Sequence, residues 1–286
     1  MNTSKFNGER LKNARIFRGM SLSDLADSTG LTKQALSQYE NGSIKPEPNR
    51  LFQLADSLDF PSEYFISEES FTVQSEATYF RSLMSTSKIE RSAQSKRLEF
   101  VAQIYETLFD YIDFPPQNLP KIKFVGAQGD SPAEMEKQAK EIERIAQEVR
   151  AFWKLGNEPI KELKYLLESN GIVVTRIETK TEKLKTASQD SKTETVDAFS
   201  QRVIINDVGL YIIAIAPNQN FVRSRFDMAH ELGHILLHPW SEDIESLSRE
   251  EFKAREVQAN MFANAFLLPR DAFTADIAYY PNNLEY

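Results

Sequence analysis

The chain contains no cysteine. Disulfides and thiolate metal sites are thereby excluded, and the absence suits a reducing cytosol. Histidine is scarce as well, with three in 286 residues, so any imidazole chemistry must come from three positions. Long apolar runs are missing. The longest, about Leu210 to Ala216, falls far short of the ~20 residues that a membrane helix needs. The first residues, Met1 to Arg10, are polar and lack the apolar stretch of a secretion signal. These absences lead to the expectation of a cytoplasmic protein with no membrane partner.

What is present is ordinary for a soluble globular chain: 41% hydrophobic and 11% aromatic residues. The length exceeds a typical single core, so two or more domains are expected. Charge is unevenly placed. Eight Lys and Arg against five Asp and Glu give residues 1–50 a net +3, leaving −11 on the rest of a chain whose total is −8. A mildly basic head on an acidic body fits a small nucleic-acid module joined to something else.

Residues 1–66 read as a compact all-helical unit. Apolar positions recur at helical spacing, as in Leu22, Leu25, Ala26 and then Leu31, Ala35, Leu36, Tyr39. Ser21 with Asp24 forms a capping box on paper, Gly19 and Gly30 mark helix ends, Thr32 caps the next helix, and Asn41-Gly42 closes it. Pro46 and Pro48 open a fourth helix. The pair Ser21–Thr29 and Thr32–Asn41, joined at Gly30, has the spacing of a helix-turn-helix, whose second helix enters the major groove of DNA. Its exposed polar residues are Lys33, Gln34, Ser37 and Gln38, and Lys and Gln suit the edges of guanine and adenine.

A stretch rich in Ser, Thr and Glu at 67–86 reads as a linker. It leads into a long amphipathic helix from Ser87 to about Asp113, so residues 67–130 form a middle segment suited to dimerisation. Ser131-Pro132 opens a further helix running to about Trp153, and another spans Pro159 to Ser169. The pattern then changes. Ile172 to Ile177 is β-branched, and Val196–Ile205 and Leu210–Ala216 read as strands across an Asn206-Asp207 turn. The polar run 179–195 between them reads as a loop. Residues 131–286 thus form an α+β domain with a small sheet, and the chain from Phe221 onward is helical.

All three histidines fall in residues 230–238, and His230-Glu231-Leu232-Gly233-His234 spells HExxH. That spacing sets two imidazoles one turn apart on one helical face, where they can chelate a single ion, and imidazole suits zinc. Glu231, beside the first ligand, is placed to act as general base. His238 lies eight residues from His230, roughly 12 Å along the axis at ~1.5 Å per residue, too far to share one ion. Trp240 occupies the position where a longer histidine motif would continue. The third ligand is therefore expected to be a carboxylate on another element. The helical segment Arg249–Leu268 supplies Glu256 amid a stripe of Phe252, Val257, Met261 and Ala265, with Asn260 one turn on as a supporting partner. Arg223 and Arg225 precede the metal helix and fit salt bridges better than a catalytic role.

Residues 222–269 resemble the ImmA/IrrE metallopeptidases through Arg223-Ser-Arg-Phe-Asp-Met-Ala-His230-Glu231-Leu-Gly-His234 and the later block from Glu256 through Ala259, Asn260, Phe262 and Phe266 to Pro269. Val196–Ser200 and Tyr79–Leu83 extend the likeness. The resemblance implies a zincin-like fold with zinc on His230, His234 and Glu256, Glu231 as base, and protein substrates of the repressor or antitoxin type cut under stress. The first 66 residues resemble the XRE (lambda-repressor-like) family, which implies operator binding as a homodimer. The combined expectation is a DNA-binding regulator with a zinc metalloendopeptidase domain. The alternative is a regulator whose peptidase-like domain is a non-cleaving sensor or dimeriser.

Overall fold

A computed structural model describes residues 6–67, 73–80, 87–126, 131–177, 198–217, 219–238, 240 and 247–279; for 74–80 and 275–279 it describes the backbone alone. The protein is α+β. Two compact units divide it, one holding the helices up to Leu108 and the other the sheet and the later helices.

In the first unit, α1 (Gly8–Phe17), α2 (Leu22–Thr29), α3 (Lys33–Glu40) and α4 (Pro48–Leu58) are followed by a short 3-10 turn, Ser62–Ile66. The caps are local and legible. Ser21 Oγ accepts from Asp24 N at 3.2 Å while Ser21 N donates to Asp24 Oδ2 at 2.7 Å. Gly30 sits at φ 65°, left-handed and cheap only for glycine, and Thr32 Oγ1 accepts from Ala35 N. Leu11, Leu25, Leu36, Leu54, Leu58 and Phe65 are fully buried together. Arg15 clamps Glu40 through two bonds, at 2.6 and 2.8 Å, and so ties α1 to the end of α3.

Helix α5 (Lys88–Leu108) belongs to this same unit. It begins at the Ser87 and Glu90 capping box and stops short of the expected Asp113. Its Phe100 packs on Phe17 at 4.9 Å and on Phe60 and Tyr64 at 6.0 Å, and Arg97 Nε donates to Phe17 O. One face of α5 therefore completes the core of the small helical domain, while Ile89 and Ile104 stay exposed.

The second unit centres on a sheet of order β1-β3-β4-β2. Strand β1 (Gln74–Phe80) lies within a stretch whose composition reads as linker; residues 68–72 and 81–86 of that stretch lie outside the described residues. Strand β2 (Ile172–Arg176) runs parallel to β4 (Val208–Ile215), and β3 (Ala198–Ile205) pairs with β4 antiparallel. The β3–β4 hairpin turns on Asn206 (φ 49°) and Asp207 (φ 64°), the two left-handed positions that a tight two-residue hairpin requires. The polar run 178–197 lies outside the described residues.

Helices α6 (Pro132–Phe152) and α7 (Leu163–Ser169) precede the sheet strands β2–β4, and α8 (Phe221–Leu237), α9 (Arg249–Leu267) and α10 (Arg270–Tyr279) follow them. Helix α8 packs on β3 and β4, and α9 packs on α8 and α6. The buried stripe of α9 is Phe252, Ala259, Phe262, Ala263 and Phe266; Val257, read from spacing as part of it, is 41% exposed. Phe262 and Phe266, absent from the stripe read from spacing, carry most of the aromatic burial of α9. Trp153 donates to Asn118 O and Trp240 packs on Tyr211, so both tryptophans serve packing. Among the described residues no helix is long and apolar enough to cross a membrane.

Candidate metal centre and nucleic-acid interface

Helix α8 begins at Asn220, whose side chain accepts from Arg223 N at 2.8 Å, and buries nearly its whole C-terminal half. His230, Glu231 and Leu232 are fully buried and His234 is 1% exposed. The two imidazoles meet as the four-residue spacing requires, Nε2 to Nε2 at 3.0 Å. Glu256 reaches them from α9. Its Oε2 stands 3.4 Å from His230 Nε2 and its Oε1 3.1 Å from His234 Nε2.

Glycine makes this approach possible. A Cβ on Gly233 would meet Ala259 Cα and Phe262 Cδ1 at 3.2 Å, so α8 and α9 touch almost backbone to backbone at that point. The close crossing puts Glu256 within reach of both histidines.

The supporting contacts differ from the sequence expectation in detail. Asn260 faces His230, with Oδ1 3.0 Å from Nδ1. His238 stands behind His234, with Nδ1 to Nδ1 at 2.9 Å, and its Nε2 lies 2.9 Å from Gln258 Oε1. Ser200 of β3 donates to Glu231 Oε2 at 2.5 Å. Sequence reasoning named Ser200 only as part of a strand and dismissed His238 as a ligand without giving it a role. Gln258 was overlooked, although it stands in the first turn past Glu256 on the same helix. Arg223 pairs with Asp227 at 3.2 Å, and Arg225 donates to the carbonyls of Ile160 and Lys161.

Burial governs the charge states. It pushes Glu231 up to about 7, with Glu256 and Asp227 adding to the rise while His230 and the Ser200 bond oppose it. Burial pushes His234 down to about 4 and His238 well below the usual imidazole range, so both are neutral at pH 7.

The donor set suits a divalent metal ion. Two imidazoles and a carboxylate converge with their ligand atoms within 4.8 Å of one another. Glu256 Oε1 is buried and, apart from the 3.1 Å approach of His234 Nε2, has no hydrogen-bond partner among the described residues. A buried acceptor left in that condition costs about 1–3 kcal/mol, and a cation among the three groups removes the cost. Two nitrogens and one oxygen are a zinc-type ligand set that leaves a fourth position open. Glu231 Oε1 is likewise buried with no hydrogen-bond partner, its other oxygen being held by Ser200.

In the small helical domain, Lys33, Gln34 and Ser37 are exposed on α3 and Gln38 is half-buried. Lys33 and Gln34 stand in the first turn of α3, the second helix of the pair, and Ser37 and Gln38 one turn on.

Comparison with known proteins matches both regions. Residues 167–286 match the family model of the IrrE N-terminal-like domain, a peptidase family, and residues 8–70 match that of a helix-turn-helix domain. The chain is 39% identical over 66 residues to the HTH-type transcriptional regulator SutR of Escherichia coli, covering 23% of this chain and 37% of SutR. It is 34% identical over 59 residues to the SPbeta prophage-derived uncharacterized HTH-type transcriptional regulator YonR of Bacillus subtilis, covering 21% of this chain and 55% of YonR. The chain thus spans about half or less of the length of these relatives. No solved structure matches it. The chain therefore combines an XRE-type helix-turn-helix domain at its N-terminus with a C-terminal domain of the IrrE N-terminal-like peptidase family.

Proposed function

We propose that this chain is a cytoplasmic DNA-binding transcriptional regulator whose C-terminal domain is a zinc metalloendopeptidase. The observation that carries the reading is the meeting of His230, His234 and Glu256 beside a buried carboxylate, Glu231, with one oxygen held and the other unpartnered. Zinc bound there supplies a Lewis acid for peptide hydrolysis.

The chain's own groups provide the rest. His230, His234 and Glu256 would hold the ion, and Asn260 fixes the ring of His230. Ser200 pins Glu231 Oε2, which leaves Oε1 to take a proton from the attacking water and return it to the leaving amine nitrogen. A carboxyl brought near neutrality by burial is suited to both halves of that transfer. This reading takes 1–66 for DNA binding and 131–286 for the peptidase; of the stretch 67–130 between them, α5 packs with the first unit and β1 joins the sheet of the second.

At the other end, Lys33, Gln34, Ser37 and Gln38 read a double-stranded operator, with two copies of the chain on two half-sites as a homodimer. The relatives' printed descriptions as transcriptional regulators support this part. The substrate is proposed to be a protein of the repressor or antitoxin type, or the chain itself, cut in a stress or phage-related response.

The test is to load the full chain with zinc and incubate it alone and with a panel of XRE-type helix-turn-helix proteins, following fragments by intact mass. Wild type should yield discrete fragments and Glu231→Gln none, although both retain metal. Absence of fragments from metal-loaded wild type across the panel, with operator binding intact, would instead favour a non-cleaving sensor.

A further inference from the structure

The third histidine lies outside the ligand set and yet is placed to control it. Helix α8 ends at His238, whose backbone leaves the helix in extended form (φ −113°, ψ 141°) while its N–H still bonds His234 O at 3.2 Å. That change of direction folds the ring back onto the preceding turn, and the His234 and His238 rings lie 5.0 Å apart between centroids. His238 is 6% exposed.

A directional chain of hydrogen bonds runs through it. Gln258 Nε2 donates to Gln138 Oε1 of α6 at 3.3 Å, and the Gln258 amide oxygen lies toward His238. Gln258 Oε1 can only accept, so the proton at the 2.9 Å contact belongs to His238 Nε2. A neutral imidazole has one N–H, which leaves His238 Nδ1 as a lone pair. That lone pair faces His234 Nδ1 at 2.9 Å, so the proton there belongs to His234. His234 Nε2 is then the lone pair, and it is the nitrogen turned toward His230 and Glu256.

We propose that His238 is a positioning residue: with Gln258 and Gln138 it locks His234 in the tautomer that presents Nε2 to the metal. The inference rests on the reading of His234 as a metal ligand. The arrangement parallels the support of His230 by Asn260 on the other side, so each imidazole has an acceptor on its far nitrogen. It also links α6 and α9 to the metal helix through polar contacts, at a place where Gly126 leaves only 3.0 Å between its would-be Cβ and Gln258 Nε2. The spacing of eight that removes His238 from the ligand set is what lets it stand one turn behind His234.

With three histidines in the chain, the imidazole nitrogens of a 15N-histidine sample are few enough to assign. The experiment records long-range proton–nitrogen spectra of the full chain with zinc, and measures zinc affinity by chelator competition for wild type, His234→Ala, His238→Phe and Gln258→Ala. We expect His234 bound through Nε2 and protonated at Nδ1, and His238 metal-free and protonated at Nε2. His238→Phe and Gln258→Ala should each weaken zinc binding about 10–100-fold while retaining the fold. A His238 proton on Nδ1, or metal bound to His238, overturns the proposal even without a variant. Wild-type affinity in both His238→Phe and Gln258→Ala overturns it as well. If His234→Ala keeps full affinity, the underlying metal assignment fails instead, so the two failures are told apart.

Discussion

At the scale of single residues, Glu231 and its neighbours create opposing proton demands. Burial raises Glu231 to about 7 from 4.5, so between those values the folded chain binds more protons than the unfolded chain, and stability rises as pH falls. His234 is lowered to about 4 from 6.5, so over that window the folded chain binds fewer protons, and stability drops as pH falls. His238 acts in the same direction as His234. In the metal-free protein the two effects offset each other. Glu231→Gln removes the compensating group, so the metal-free variant should lose more stability between pH 7 and pH 5 than wild type. Urea midpoints at the two pH values measure this, and parallel losses would contradict the assigned charge states. On the DNA side, a bidentate base contact is worth about 1–3 kcal/mol. Gln34→Ala, exposed on α3, should therefore relax sequence preference without altering the melting transition, as read by competitive binding to a randomised duplex pool.

At the scale of elements, the decisive contact is the crossing of α8 and α9 at Gly233. Any side chain there must push against Ala259 and Phe262. Gly233→Val should cost about 1–3 kcal/mol of stability. It should also weaken zinc binding, because the displaced helix is the one that carries Glu256. Calorimetry and chelator competition together check the pair of effects, and a variant that loses stability with unchanged zinc affinity would detach the crossing from the site. Helix α5 offers a second case. Its Phe100 covers Phe17, Phe60 and Tyr64, so a fragment of residues 1–67 should be less stable than one of residues 1–110. Burying one aromatic ring contributes about 1.5–3 kcal/mol, enough to lower the urea midpoint measurably.

What the sequence revealed follows from the range of the interactions involved. The capping box at Ser21 and the hairpin turn at Asn206-Asp207 are local, and their residues state them directly. The HExxH spacing is likewise a one-turn property of a helix. Glu256 could be named because two histidines required a third donor and no other histidine could reach. The misses are long-range. Phe100 meets Phe60 and Tyr64 across some forty residues and Phe17 across about eighty, so its apolar stripe gave no sign of which surface it covers. The bond from Ser200 to Glu231 depends on a strand packing against a helix. Strand β1 has a composition no different from a linker, because an edge partner in a sheet is defined by backbone pairing rather than by an apolar run.

At the scale of the whole molecule, the chain joins a DNA-type domain to a peptidase-family domain, and the account of the second depends on one ion. Zinc-edge X-ray absorption on stoichiometrically loaded full-length protein tests it most directly. The arrangement of His230, His234 and Glu256 predicts a first shell of two imidazole nitrogens with carboxylate and solvent oxygen, all at about 2.0–2.2 Å. Failure to take up zinc in stoichiometric amount, or a shell with three imidazoles, would contradict it.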